Sequence, residues 1–244
     1  MEPPQRKKVA LVTGAGRGLG AYLARKLGRD GWSVAVHYHS SREGACEVVE
    51  ELRAEGGDAE AFQADLVRQA EAESLLEAVK KRFGSLRLLI NNSGVYPPVG
   101  LLQTREEDWQ LGWQTTATAT LFTTLAALPL LRSSGAGRIV NIGDSACDRL
   151  GAREMALGYH IGKIGVYLLS RSFAREEARH GLTVNVVSPG YLAESVNLPP
   201  LSKIPAGRFG THEDLWTAIR FLIDEKSGYV TGSHIVVSGG WNLR

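Results

Sequence analysis

The stretch Lys8-Val-Ala-Leu-Val-Thr-Gly-Ala-Gly-Arg-Gly-Leu-Gly20 decides the fold of this chain. It begins as a short apolar run, passes through four glycines and enters a helical pattern of leucines at Leu19, Leu23 and Leu27. A buried strand that turns tightly into an amphipathic helix is typical of the first unit of a parallel α/β sheet. The stretch therefore predicts a sheet whose strands alternate with helices.

The glycines of this turn, Gly14, Gly18 and Gly20, also indicate a binding site. Glycine lets the backbone turn tightly and approach a pyrophosphate, and the N-terminus of the following helix favours negative charge. The spacing is not the common G-x-G-x-x-G fingerprint, and any tight turn could use glycines. Because the glycine loop lies between a strand and a helix, we favour a dinucleotide site. We include Leu19 among its cofactor-binding residues.

Six further segments have the pattern of strands, and amphipathic helices separate them. In 45–52 and 72–79, apolar residues recur at i, i+3, i+4 and i+7, which indicates helices. This alternation predicts a single doubly wound α/β Rossmann domain over residues 1–244, with a mostly parallel seven-stranded sheet and helices on both faces. The six segments are Trp32–Tyr38, Ala59–Gln63, Leu86–Ile90, Arg138–Ile142, Leu182–Val187 and His234–Val237.

The composition excludes several other classes of protein. Hydrophobic residues make up 43% and charged residues 22% of the 244 residues, as in a globular protein. A net charge of +2 without a Lys/Arg-rich block argues against a nucleic-acid partner. The uncharged stretch 109–131 contains several threonines and Pro129, so we expect a buried helix there and no membrane span.

The two cysteines, Cys46 and Cys147, are far apart in the sequence and have no neighbours with metal-ligand spacing. Such usage favours a reducing compartment, so a cytoplasmic protein without a metal site is expected. His160 is expected to face solvent or to cap a helix.

The end of the second predicted strand, His37-Tyr-His-Ser-Ser-Arg42, indicates which dinucleotide binds. A carboxylate there would bind the adenine ribose of NAD and repel an extra phosphate, but no acidic residue occurs before Glu43. Arg17 of the glycine loop can direct its guanidinium at phosphate oxygens. Alternatively, these are solvated turn residues, with Ser40 or Ser41 capping the next helix. We predict NADPH, with the contact residues Arg17, His37, Tyr38, His39 and Ser40.

The segment Tyr159-His-Ile-Gly-Lys163 indicates the chemistry. Residues four apart share one face of a helix, and a nearby ammonium stabilises a phenolate and lowers the pKa of a tyrosine. Such a tyrosine can give a proton to an atom next to the one that receives a hydride. Alone, the Tyr159–Lys163 pair is weak evidence for such a reaction, but together with the glycine loop it is strong evidence.

With these motifs the chain resembles the short-chain dehydrogenase/reductase family over nearly its whole length. The matching pieces are Thr13-Gly14-x-x-x-Gly18-x-Gly20, Asp65-Leu66, Asn91-Asn92-Ser93-Gly94, Tyr159-x-x-x-Lys163, Asn185, Pro189-Gly190 and Val230-Thr-Gly232. The resemblance implies that Tyr159 is the general acid, that Lys163 holds the nicotinamide ribose and that the protein is a homotetramer. It also implies cofactor contacts by Asp65 at the adenine and by Leu66, Asn92, Ser93, Gly94, Pro189 and Gly190.

Two positions depart from the family pattern. Thr116 stands where family members carry a helix asparagine that serves a proton relay, which puts this relay in doubt. Asp144 stands where a serine usually orients the substrate, although its interval to Tyr159 is two residues longer than in the family, so Ser145 remains a competitor. We therefore predict Asp144, Tyr159 and Lys163 as the catalytic residues.

Aspartate at this position is typical of the pteridine reductases, a branch of the same family. Arg17, His37-Tyr-His-Ser40 and the tail Gly239-Gly-Trp-Asn-Leu-Arg244 are also similar to this branch, and the tail to bacterial dihydromonapterin or dihydrofolate reductases. The predicted substrate residues are Tyr96, which could stack on a pterin, Ser145, and Tyr191 at the start of a substrate loop over about 191–210.

Three functional hypotheses follow. The first is an NADPH-dependent reductase of a pterin or dihydrofolate-like C=N bond. The second is a carbonyl reductase, for instance of 3-oxoacyl thioesters. The third is a non-catalytic NADP sensor, which the intact Tyr159 and Lys163 argue against and Thr116 supports.

Overall fold

The computed structural model describes residues 8–147 and 150–243. Its seven strands form one sheet in the order β3-β2-β1-β4-β5-β6-β7, and every neighbouring pair is parallel. The predicted seven-stranded Rossmann sheet is therefore confirmed. The strands are β1 (Val9–Val12), β2 (Ser33–Tyr38), β3 (Ala59–Gln63), β4 (Leu88–Asn91), β5 (Arg138–Ile142), β6 (Thr183–Pro189) and β7 (His234–Val237).

Helices cover both faces of the sheet. They are α1 (Gly18–Arg29), α2 (Arg42–Ala54), α3 (Gln69–Phe83), α4 (Glu106–Trp113), α5 (Ala119–Ser133), α6 (Leu157–Glu177) and α7 (His212–Ile223). Leu23, Val48 and Leu215 bring α1, α2 and α7 into one apolar core cluster. A second cluster joins α3, α5 and α6. The crossovers between parallel strands place helices on both faces of the sheet, so its apolar strands are buried on both sides.

The order of the strands reverses at β1, which pairs with β2 on one side and with β4 on the other. In open α/β sheets, ligands bind outside the carboxyl ends of the strands at such a switch point. The glycine loop follows β1, and Asn92 follows β4, so both lie at this edge of the sheet. The topology thus predicts the place of the site without any reference to side chains.

The segment 109–131 was predicted as one buried helix, but its observed structure differs. It consists of α4 and α5 joined by a π-helical segment, Gln114–Thr118, and Pro129 lies inside α5. One face of this pair is buried, whereas Trp109, Leu111 and Leu125 are about two-fifths exposed. Across the described residues, no helix is long and apolar enough to cross a membrane.

Candidate active site

The glycine loop has the geometry of a phosphate site. Gly14 and Gly18 have φ values of +62° and +53°, which other residues rarely adopt. Gly18 begins α1, the first turn of α1 contains no acidic residue, and open space lies where a side chain of Gly18 would project. A helix N-terminus with free room beside it and no competing carboxylate fits the pyrophosphate of a dinucleotide.

His37 stabilises this loop from within the protein. It is buried at the end of β2, where the Gly14 backbone N–H donates to its Nδ1 (3.1 Å) and its Nε2 lies 3.1 Å from the Ala64 carbonyl oxygen. Burial lowers the pKa of His37 to about 4, so the ring is neutral at pH 7. Because the backbone engages both ring nitrogens, a contact of His37 with the cofactor would involve its backbone, and the predicted contact stays a prediction.

The neighbours of His37 divide into buried and exposed residues. The side chain of Tyr38 belongs to the apolar core, which leaves its backbone for the predicted contact with the cofactor. His39 and Ser40 are exposed beyond the end of β2, and Arg17 is exposed on the glycine loop. The exposed residues are those that remain available to a ribose phosphate.

An open cavity of about 360 Å³ lies beside the ends of β2 and β3. Its lining includes His39, Asp65 and Arg68, and the Asp65 carboxylate accepts from the Val67 N–H (3.3 Å) and lies 3.4 Å from Arg68 Nε. The cavity has room for an adenine next to Asp65, as the resemblance implies. The side chain of Leu66, in contrast, is buried in the core, which leaves its backbone for any contact with the cofactor.

The segment after β4 is tied to the glycine loop. The N–H groups of Asn92 and Ser93 both donate to Thr13 Oγ1, at 2.9 and 3.0 Å, and Asn92 Nδ2 donates to the carbonyl oxygens of Thr13 and Gly14. The Asn92 side chain thus fixes the loop, and Gly94 is exposed beyond it. On the other side of the switch point, the Gly190 N–H donates to the Val237 carbonyl oxygen, which places Pro189-Gly190 at the same edge.

Tyr159 and Lys163 lie one turn apart near the start of α6. Lys163 is buried, its Nζ donates to the carbonyl oxygen of Ile142 at the end of β5 (2.7 Å), and the ammonium lies 5.5 Å from the centroid of the Tyr159 ring. Burial lowers the pKa of Lys163 to about 8. The β5 carbonyl therefore positions the ammonium beside the phenol.

The pKa of Tyr159 differs from the expectation that Lys163 lowers it. Burial raises this pKa well above its usual value, and the negative charge of Asp144 raises it further. The desolvation of the phenolate outweighs the ammonium at the ring face, because a buried charge is costly unless it is closely paired. Tyr159 is thus held in its protonated form, which is the form that a general acid requires.

The rings of Tyr96 and His160 contact the ring of Tyr159. Tyr96 meets the Tyr159 ring edge-on, with centroids 5.1 Å apart, and also contacts the ring of His160. The ring of Tyr191 packs edge-on against that of Trp241, with centroids 4.8 Å apart. Burial raises the pKa of Tyr96, and the electrostatic effects of Tyr191 and Asp144 raise it further. The structure therefore brings the predicted substrate residue Tyr96 to Tyr159, whereas the ring of Tyr191 contacts Trp241.

Asp144 and Ser145 have different environments. Ser145 is buried and begins a 3₁₀ turn, Ser145–Cys147. Asp144 precedes this turn, its Oδ1 accepts from the Ala146 N–H (2.7 Å), and its charge acts on the pKa of Tyr159. The electrostatic effect on Tyr159 and the burial of Ser145 favour Asp144 over Ser145, and the predicted roles of both stay predictions.

Thr116 lies in the π-helical segment and is fully buried. Its hydroxyl donates to the Gly112 carbonyl oxygen (2.7 Å), and its methyl group would be 3.2 Å from a Cβ placed on Gly94. The hydroxyl proton of Thr116 is therefore engaged in a hydrogen bond to the helix backbone and is not available to a proton relay. This hydrogen bond is a structural reason why Thr116 does not replace the relay asparagine of the family.

His160 is the residue whose environment the sequence analysis missed. It is buried rather than solvent-facing, and its Nδ1 lies 3.8 Å from Asp144 Oδ2 and 3.9 Å from Cys147 Sγ. Burial lowers the pKa of His160, and the charge of Asp144 opposes this shift. A signal was available, because residue 160 follows Tyr159 on α6 and must lie close to the pocket.

Comparisons with known proteins agree with this geometry. The short chain dehydrogenase family model matches residues 8–200. A 3-oxoacyl-[acyl-carrier-protein] reductase of Staphylococcus aureus is 36% identical over 241 residues, which cover 96% of this chain and 97% of that protein. One from Synechocystis is 36% identical over 239 residues, which cover 96% of both.

A solved structure of an actinorhodin polyketide ketoreductase variant with NADPH superposes with a TM-score of 0.88 at 28% identity, over 98% of both chains. These relatives correspond to the second functional hypothesis, carbonyl reduction, better than to the first, and the pteridine reductase branch is not confirmed by them. The matched motifs, sheet and site together show that this chain belongs to the short chain dehydrogenase family of oxidoreductases.

Proposed function

We propose that the protein is an NADPH-dependent ketoreductase that reduces the ketone of a 3-oxoacyl thioester or a related polyketide-like carbonyl. The observation that carries the proposal is the position of Tyr159 one helical turn from Lys163, whose ammonium donates to the Ile142 carbonyl oxygen and lies 5.5 Å from the centroid of the Tyr159 ring. Support for the substrate class comes from relatives that are 3-oxoacyl reductases and from a ketoreductase neighbour with NADPH.

Each residue of the site has its own role in the proposed reaction. When bound, the nicotinamide supplies the hydride that reduces the carbonyl carbon. Tyr159 gives its proton to the carbonyl oxygen, because negative charge develops there in the transition state. Lys163 would hold the nicotinamide ribose with its ammonium, and the glycine loop before α1 would hold the pyrophosphate. Tyr96, whose ring contacts that of Tyr159, would line the place where the carbonyl binds.

The preference for NADPH rests on the exposed residues beyond β2. His39, Ser40 and Arg17 offer hydrogen-bond donors to a ribose phosphate, and no carboxylate occurs from His37 to Arg42. An arginine recognises phosphate oxygens with two donors at once, whereas a carboxylate at this place would repel them. This combination favours the extra phosphate of NADPH.

Reduction of a pterin is a second candidate, favoured by Asp144. A carboxylate close to the general acid can hold or pass a proton to a ring nitrogen, which a serine cannot do equally well. Tyr96, half-buried beside Tyr159, offers an aromatic face to a flat heterocycle. A ketone needs neither feature.

The deciding experiment measures NADPH oxidation with acetoacetyl thioester, dihydrobiopterin and dihydrofolate in turn. The proposal predicts the highest kcat/KM with the thioester. A higher kcat/KM with either pterin would replace the proposal by the second candidate. Absence of oxidation with all three, although NADPH binds, would favour the non-catalytic sensor.

A further inference from the structure

Asp144, Cys147 and His160 form a compact cluster of three different ligand types beside Tyr159. One ligand atom from each lies within 4.8 Å of the other two: a carboxylate oxygen, the Sγ and a ring nitrogen. His160 Nδ1 is 3.8 Å from Asp144 Oδ2 and 3.9 Å from Cys147 Sγ. Nothing in the proposed reduction of a carbonyl uses Cys147 or His160.

The cluster is held in place by its surroundings. Asp144 Oδ1 accepts from the Ala146 N–H, which turns Oδ2 toward His160. Cys147 ends the 3₁₀ turn that Asp144 begins through its carbonyl oxygen, so both side chains follow one rigid segment. The ring of His160 is fixed edge-on against Tyr96 and Tyr159. Such outer contacts orient ligands in metal sites.

The donor set fits one group of metals. Thiolate, imidazole and carboxylate are the ligands of Zn²⁺, and three protein ligands leave a fourth position open. Bonds of about 2.0–2.3 Å in a tetrahedron place ligand atoms roughly 3.3–3.6 Å apart, so the three atoms need to approach one another by up to roughly 1.5 Å. Two negative ligands balance the charge of a divalent ion, and Cys147 and His160 are both 8% exposed.

We propose that Asp144, Cys147 and His160 bind a divalent transition-metal ion, Zn²⁺ by their donor chemistry, and that this ion inhibits the reductase. Inhibition follows because a cation bound at Asp144 stabilises the phenolate of Tyr159, which then lacks the proton that reduction of the carbonyl requires. The sequence analysis expected no metal, since the three residues are spread over residues 144–160 without a ligand motif. The fold brings them together.

Binding is tested first, without any substrate. Metal-free protein is titrated with Co²⁺, whose bond to a thiolate gives a charge-transfer band in the near ultraviolet. One equivalent of Co²⁺ should saturate this band, and Zn²⁺ should abolish it at the same stoichiometry. Absence of the band in the wild-type protein would overturn the proposal, whatever the variants do.

Variants then identify the ligands. Cys147→Ser should lose the band and weaken Zn²⁺ binding at least roughly tenfold, and His160→Gln should weaken it to a similar extent. Cys46→Ser is the matched control, because Cys46 is the other cysteine and lies on α2. Circular dichroism checks that each variant is folded. A band that persists in Cys147→Ser or disappears in Cys46→Ser would contradict the proposed site.

The inhibitory half is tested with the substrate that proves active. Zn²⁺ should suppress NADPH oxidation at the concentration that saturates the site, a chelator should restore it, and Cys147→Ser should require at least tenfold more Zn²⁺. Metal binding without any loss of oxidation would overturn this half alone. Because the Co²⁺ titration needs no turnover, failure of the metal site and failure of the proposed ketoreductase activity remain distinguishable.

Discussion

The pKa values of Tyr159 and Lys163 are shifted in opposite directions, and burial is the main cause of both shifts. Burial and the charge of Asp144 raise the pKa of Tyr159, so the phenol keeps its proton at neutral pH. Burial lowers the pKa of Lys163 to about 8, so its ammonium is lost in moderately alkaline solution. The spacing of the two residues is readable from the sequence, but the balance between burial and charge is not.

The first prediction concerns the pH dependence of NADPH binding. Lys163 is charged below its pKa of about 8 and neutral above it, so the contribution of its ammonium to cofactor binding is present at pH 7 and lost as the pH rises through 8. We expect the Kd for NADPH, measured by fluorescence quenching, to increase above pH 8. Lys163→Ala should bind more weakly at pH 7 and lose this dependence. A wild-type Kd that is constant from pH 7 to 9 would refute the role of Lys163.

The second prediction concerns Asp144 as a selector of substrate. Asp144→Ser restores the residue type usual in the family and removes the carboxylate beside Tyr159. We expect any pterin reduction to fall much more than ketone reduction, measured as kcat/KM for each substrate. Ser145→Ala is the matched control, and it should change neither activity strongly because Ser145 is buried. A larger loss in Ser145→Ala, or equal losses on both substrates in Asp144→Ser, would show that the position is misassigned.

At the scale of elements, the sequence pattern predicts the bounds of several strands correctly, but it does not predict contacts between residues that are distant in the sequence. The bounds predicted for β3, β5 and β7 agree with the structure, because short apolar runs between turns define strands. The π-helical segment was missed, since the sequence has no period that distinguishes it from an α-helix. The role of His37 was also missed, because its partners, Gly14 and Ala64, come from two other loops.

The third prediction belongs to the junction of the glycine loop and α1. Arg17 occupies the cap position of α1 and makes no side-chain cap hydrogen bond, so its removal should leave the helix intact. We expect the wild-type protein to bind NADPH at least tenfold more tightly than NADH, about 1.4 kcal/mol. Arg17→Ala should lose most of this preference, measured by titration of both cofactors, and Arg17→Lys should retain part of it. An unchanged preference in Arg17→Ala would remove Arg17 from the phosphate site.

At the scale of the whole molecule, α4, α5 and α6 carry a set of exposed apolar side chains. Trp109, Leu111, Trp113, Leu125 and Leu168 are between 36% and 66% exposed on these helices. Large apolar side chains grouped on neighbouring helices are typical of a protein interface. We propose that this surface joins copies of the chain in a homotetramer, as the family resemblance implies.

The fourth prediction tests this assembly. Light scattering coupled to size exclusion should give four times the chain mass at micromolar concentration. Leu168→Glu should shift the protein to smaller species, because it places a charge in an apolar interface. Leu168→Met keeps an apolar side chain of similar volume and should remain tetrameric. A wild-type protein that elutes as a monomer would contradict the proposal.

The most direct test of the proposed function follows the hydride and the proton together. Wild-type protein and Tyr159→Phe are given acetoacetyl thioester and NADPH with deuterium at the transferable position of the nicotinamide. The proposal predicts a hydroxy product with one deuterium on the reduced carbon, formed roughly 10²- to 10⁴-fold more slowly by Tyr159→Phe at nearly unchanged NADPH affinity. A product without deuterium, or a Tyr159→Phe variant as fast as the wild type, would contradict a ketoreductase with Tyr159 as its acid.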